Sequence, residues 1–158
     1  LLHSANFYLT RNLRLKKYTI KKEMLIDAPV ERVFSALTSS VEIPQFYPLK
    51  SVESTWEVGA DVLYKGEVEG APFTDYGVIE QLDVPSVYRY RYWSDNHGTQ
   101  RVAENFISIE YQLTRADNGA RLTLLQSNIK STELYQLMET QVWDFLLGSL
   151  KKYLEART

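Results

Sequence analysis

The stretch 132-TELYQLMETQVWDFLLGSLKKYLE-155 decides how the rest of the chain must be arranged. It contains no Pro and a single Gly, Gly148. Its apolar residues are Leu134, Leu137, Met138, Val142, Trp143, Phe145, Leu146, Leu147, Leu150, Tyr153 and Leu154, which recur at helical spacing. Ser131 or Thr132 supplies an N-terminal cap. The apolar set is too wide for a surface helix with one stripe, so both flanks are expected to be covered. A helix of 24 residues is about 36 Å long, and a strand of ten residues spans about 33 Å. One long helix therefore matches the strands in length and is expected to lie along the concave face of a sheet.

Working outward, the preceding segments alternate with a period of two. Residues 50–58, 61–69, 73–83, 87–94, 105–115 and 120–129 read as six strands. Gly59, Gly70-Ala71-Pro72, Pro85, residues 95–100 and Asp117-Asn118-Gly119 separate them. The Asp-Asn-Gly turn carries positive-φ hairpin chemistry, and Gly77 inside its strand predicts a bulge or bend. Further upstream, residues 17–27 read as a strand and 29–38 as a short amphipathic helix starting at Pro29. Residues 41–46 add a helical turn closed by Tyr47-Pro48. No helix separates the six middle strands, so the sheet must be largely antiparallel. The fold class is α+β, with a curved antiparallel sheet of about seven strands, in the order β-αα-β6-α, around the C-terminal helix.

The strand 87-VYRYRYWS-94 shows what faces the interior. Successive side chains point to opposite faces. Arg89 and Arg91 prefer water, so Tyr88, Tyr90 and Tyr92 face the helix. Tyr64, Ile109 and Tyr111 fall on the inward face of their own strands. Gln126 and Asn128 share a face with Leu122 and Leu124. The interior face is thus apolar in bulk but studded with hydroxyls and amides. Those hydroxyls either pair among themselves in a filled core or line a cavity.

Composition narrows the chemistry. The 158 residues include no Cys, two His and twenty aromatic residues, eleven of them Tyr. Absence of Cys excludes disulfide scaffolds, thiol nucleophiles and Cys-based zinc or iron–sulfur sites. His3 and His97 are too few for a His-rich metal site, and His97, in Asp95-Asn96-His97-Gly98, reads as a solvated loop residue. Glu67 and Glu69 point outward by alternation, and Asp83 is a turn residue. No cofactor and no metal are expected. Residues 1–22 carry six Lys or Arg and no acid, whereas the remainder carries twelve bases and twenty acids. Residues 1–16 are expected to be a basic tail, disordered or tag-derived, and residues 17–156 a single domain. No apolar run approaches a membrane span, no signal peptide is evident, and no nucleic-acid-reading motif occurs. The expected compartment is the cytoplasm.

Several local motifs resemble a known family. They are Ile26-Asp27-Ala28-Pro29, Val33-Phe34-Ser35-Ala36-Leu37-Thr38, Tyr64-Lys65-Gly66-Glu67-Val68, and Gly77-Val78-Ile79-Glu80 leading to Asp83. Asn118-Gly119-Ala120-Arg121-Leu122-Thr123-Leu124 follows, then Trp143 with Leu146-Leu147-Gly148-Ser149-Leu150-Lys151-Lys152-Tyr153-Leu154-Glu155. Their order and spacing resemble the helix-grip fold of the START-like, birch-pollen-allergen-like (SRPBCC) superfamily. Within it the chain looks most like the family named for the activator of the heat-shock-protein-90 ATPase. It departs from the usual pattern at Phe34, often Trp, at Val142, often Gly, and at Asp83-Val84-Pro85, usually Asp-Pro-Pro. Eukaryotic activators add a separate chaperone-binding domain, for which these residues leave no room, so direct chaperone activation is not expected. The resemblance implies a sheet gripping the long helix, and a ligand cavity between them.

The function expected is therefore binding of a small apolar or amphipathic ligand, such as a lipid, isoprenoid or aromatic compound. The cavity-lining candidates are Trp56, Tyr64, Tyr88, Tyr90, Tyr92, Ile109, Tyr111, Gln126, Met138 and Val142. Access is expected near residues 40–48 or the loop 95–103. The alternatives are a polyketide cyclase- or aromatase-like enzyme and a stress-related protein-interaction module without a ligand. The interaction module would have an interior filled by its own side chains. No nucleophile–His–acid set supports the enzyme, so no residue is assigned a catalytic role.

Overall fold

The computed structural model describes residues 16–156. Seven strands form one antiparallel sheet: β1 (Tyr18–Ile26), β2 (Ser51–Ser54), β3 (Asp61–Val68), β4 (Ala71–Asp83), β5 (Val87–Ser94), β6 (Ile107–Ala116) and β7 (Gly119–Ile129). Their spatial order is β1-β7-β6-β5-β4-β3-β2. Every neighbour pair except β1–β7 is consecutive in the chain, which is why hairpin turns suffice to join them. Two short helices, α1 (Val30–Leu37) and α2 (Ile43–Phe46), separate β1 from β2. Pro29 stands just outside α1, with extended backbone, and so costs the helix no hydrogen bond. The C-terminal helix runs as α3 (Thr132–Leu137), a π-helical segment (Met138–Val142) and α4 (Trp143–Glu155). Ser131 caps it, its hydroxyl accepting from the Leu134 N–H. The basic tail and His3 lie outside the described residues, apart from Lys16.

The core is built from the inward positions of the strands and one stripe of the helix. Ile20, Ile26, Val33, Leu37, Leu122, Leu124, Ile129 and Leu150 are all buried. On α4 the buried residues are Trp143, Leu147, Leu150 and Leu154, spaced four, three and four apart on one face. The sequence predicted cover on both flanks of this helix. Phe145 instead remains 61% exposed, and a second stripe faces a cavity described below.

Three local expectations are corrected. The strand predicted over 50–58 ends at Ser54, where Trp56 takes a positive φ of 57°. The irregularity in β4 lies between Ile79 and Gln81, not at Gly77. Gly77 serves close strand approach, because a Cβ there would stand 2.7 Å from Val62 Cγ1. The Asp117-Asn118-Gly119 turn does carry a positive φ, at Asp117, 48°. Asn128 leaves the inward face: its φ of 63° turns the amide out to donate to the Phe106 carbonyl at 2.7 Å. Ile129 takes the buried place, and the β1–β7 register shifts there, as a bulge requires.

Gly119 is fixed by packing. A Cβ at Gly119 would lie 2.2 Å from the Ile26 carbonyl oxygen. Backbone cannot yield as a flexible side chain does, so Gly119→Ala is expected to cost about 1–3 kcal/mol. Gly148, with nothing within 4 Å of its would-be Cβ, is the control. Gly148→Ala should stabilise α4 by about 1 kcal/mol. Urea unfolding of both variants checks the pair.

Candidate functional site

The second helical stripe explains the breadth of the apolar pattern. Leu134, Met138, Val142 and Leu146 are spaced four apart and lie on one wall of a cavity of about 410 Å³. The stripe crosses the π-helical segment, whose wider turn keeps all four on one side. Opposite them stand Tyr64 of β3, Phe73 and Asp75 of β4, Tyr90, Tyr92 and Ser94 of β5, and Ile109 and Tyr111 of β6. Leu37, Ile43 and Tyr47 from the short helices and their ends close one end. The rim is formed by exposed Pro48, Val68, Asn96 and Leu137. Access thus lies beside both predicted segments, with the β3–β4 hairpin and α3 contributing as well. A larger depression of about 800 Å³ between α2 and α4 is open to solvent, and encloses nothing.

The tyrosines pair among themselves. Tyr64 and Tyr88 share a hydrogen bond of 2.8 Å, and Tyr47 and Tyr111 one of 2.9 Å. Tyr88 stacks on Tyr90 with ring centroids 5.0 Å apart. Gln126 is fully buried and joins helix to sheet: its carbonyl accepts from Trp143 Nε1 at 2.7 Å and its amide donates to the Tyr92 hydroxyl at 3.3 Å. No buried side-chain nitrogen or oxygen among the described residues lacks a partner. Burial pushes the hydroxyls of Tyr47, Tyr64, Tyr90, Tyr92 and Tyr111 well above the ordinary tyrosine range, so all five are neutral at physiological pH.

One end of the cavity is more polar. Asp75 lies directly across from Tyr64 on β3 and from Ser94 on β5. Burial pushes its carboxyl up to about 6, against the pull of a hydrogen bond from Ser94, and nearby Asp95 adds to the rise. His97 sits in the turn after β5, and its Nδ1 accepts from the Ser94 N–H at 3.3 Å. Its ring meets Tyr92 edge-on at 5.3 Å, and burial lowers its pKa below the usual histidine value. The accepting Nδ1 requires a neutral ring with its proton on Nε2.

The buried carboxyl makes a signed prediction. An acid whose pKa is raised on folding is a burden above its unfolded value and none below it. The penalty is absent near pH 4 and complete above about pH 6. Asp75→Asn is therefore expected to raise stability by about 1–3 kcal/mol at pH 8 and leave it unchanged at pH 4, in urea unfolding at the two pH values.

A family model described as "Activator of Hsp90 ATPase homolog 1-like protein" matches residues 27–155. The chain belongs to this family. No curated protein matches the sequence. Among solved structures, ChR145 from Cytophaga hutchinsonii is 28% identical, with a TM-score of 0.75 over 89% of this chain and 95% of that one. The Aha1 dimer from Colwellia psychrerythraea is 19% identical, with a TM-score of 0.70 over 87% and 96%. CalU16 from Micromonospora echinospora is 20% identical, with a TM-score of 0.62 over 90% and 76%. The last two likenesses concern the fold alone. As a member of the Hsp90-ATPase-activator-like family, the chain has the helix-grip architecture its motifs resembled.

Within this family member the cavity brings together seven of the ten residues singled out from the sequence: Tyr64, Tyr90, Tyr92, Ile109, Tyr111, Met138 and Val142. Three lie elsewhere. Trp56 packs edge-on against Tyr88 and donates from Nε1 to Ser40 at 2.9 Å, because the chain turns away after β2. Tyr88 is sealed behind its neighbours, between Trp56, Tyr90 and Tyr111. Gln126 is consumed by its bonds to Trp143 and Tyr92. His97, read as a solvated loop residue, lines the cavity instead, drawn in by its bond to Ser94. Asp75 was not anticipated, though its signal exists: it stands two residues before Gly77 and four before Ile79, both inward and buried. Among the described residues, no group of His, Asp or Glu is arranged to hold a metal ion.

Proposed function

We propose that this chain binds a small apolar or amphipathic molecule in the cavity between sheet and C-terminal helix. One observation carries the reading: a cavity of about 410 Å³, open at its rim, with apolar walls and a few convergent polar groups. Apolar burial at about 25 cal/mol per Å² supplies most of the affinity. The hydroxyls of Tyr90 and Tyr92, with Asp75 and Ser94, orient the ligand's polar group. A filled interior, as a protein-interaction module would have, does not fit this cavity. No helix among the described residues is long and apolar enough to cross a membrane.

The test is a titration with N-phenyl-1-naphthylamine, a neutral apolar fluorophore, together with native mass spectrometry of the purified protein. Saturable fluorescence enhancement at one site per chain, or a co-purifying small molecule, supports the proposal. An unchanged probe spectrum and a bare protein mass would overturn it.

A further inference from the structure

The cavity wall has an unusual charge inventory. Among the described residues, no Lys or Arg contributes to it. Its tyrosines are held neutral by burial, and His97 is held neutral by burial and by accepting the Ser94 N–H. Among the described residues, Asp75 is the one wall residue that carries charge near neutral pH. It is half-buried, faces Tyr64 on β3 and Ser94 on β5, and lies close enough to Tyr90 and Tyr92 to act on both electrostatically. The rings of Tyr90, Tyr92 and Phe73 share that end of the cavity.

A carboxylate ligand entering this space would lose its hydration and find no cation, with Asp75 repelling it. A neutral ligand would leave the Asp75 charge poorly solvated. A protonated amine would meet the carboxylate directly and place its charge against electron-rich ring faces. We propose that the cavity selects amphiphiles bearing a protonated amine over isosteric neutral or acidic molecules, with Asp75 as the counter-ion. This rests on the ligand-binding reading above and assigns the chemical class of its ligand.

The selectivity has a pH signature. The groups facing Asp75 are Tyr64 from β3, Tyr90, Tyr92 and Ser94 from β5, and Asp95 and His97 from the turn beyond. The tyrosines stay neutral, and burial favours the neutral form of His97. The amine preference therefore follows ionisation of Asp75 and grows between pH 5 and 8, around its value of about 6.

The test uses three probes with one body: 1-naphthylmethylamine, 1-naphthylmethanol and 1-naphthoate, each displacing N-phenyl-1-naphthylamine from the full chain. At pH 8 the amine is expected to bind about ten- to a hundredfold more tightly than the alcohol, the range of a charge-assisted hydrogen bond, and the acid more weakly than either. Asp75→Asn should erase the amine's advantage over the alcohol. Equal affinities for all three probes, a preference for the acid, or an amine preference that survives Asp75→Asn would each overturn the proposal and leave the cavity as a binding site. If N-phenyl-1-naphthylamine fails to bind and the purified protein shows a bare mass, the ligand-binding reading falls and this proposal with it.

Discussion

Trp143→Ala is expected to remove about 3–5 kcal/mol of stability through lost packing alone. The indole is 2% exposed, and meets Tyr111 edge-on at 6.2 Å. It also holds a buried polar link between helix and sheet, the 2.7 Å bond to the Gln126 carbonyl. Truncation strands that carbonyl, which adds about 1–3 kcal/mol. Trp143→Phe separates the contributions: it keeps most of the ring packing and loses only the N–H, so its cost should be about 1–3 kcal/mol. Pairing it with Gln126→Leu should recover part of that loss, since the unsatisfied carbonyl is then gone. Against a total stability of about 5–15 kcal/mol, the alanine variant should be close to unfolded in mild urea. A midpoint shift in urea unfolding worth less than 1 kcal/mol would mean that the helix is not anchored this way.

Val142→Trp should have the largest effect on binding. Val142 stands in the cavity-facing stripe of the π-helical segment, and an indole there grows into open space. If it displaces about 100 Å² of ligand burial, about 2.5 kcal/mol is lost, or about seventyfold in affinity for N-phenyl-1-naphthylamine. Stability should hold or rise, because the new ring displaces no packed atoms. Phe145→Trp, three residues on and largely exposed, is the matched control and should leave the affinity unchanged. A titration in which both variants bind like the parent would put the ligand elsewhere.

Much of the fold was legible because each element carries a clean period. The alternation of 87–94 reappears in burial, with Tyr88, Tyr90, Tyr92 and Ser94 buried between half-buried neighbours. In two places where alternation fails, the cause is a residue in left-handed backbone, which period-two reading cannot see. Trp56 and Asn128 are both of this kind. The site was legible only in part. Inward placement follows from period, but lining a cavity depends on which inward side chains find partners first. Tyr88 and Gln126 point inward and are used up by Tyr64, Trp143 and Tyr92. Asp75 was hidden for the opposite reason: an acid on a strand is ordinarily taken to face solvent, yet cross-strand pairing with Tyr64 and Ser94 turns it inward. The helix shows a related limit. Its apolar width was read as two covered flanks, but one flank covers a space rather than side chains.

The central claim is that the space between sheet and helix receives a ligand. Isotope-filtered NMR on the protein with bound N-phenyl-1-naphthylamine tests it most directly. Intermolecular NOEs from the probe's ring protons to methyl groups of Ile109, Met138, Val142 and Leu146 are the predicted result. NOEs confined to exposed residues such as Leu25 or Val84, with none to those four, would contradict it.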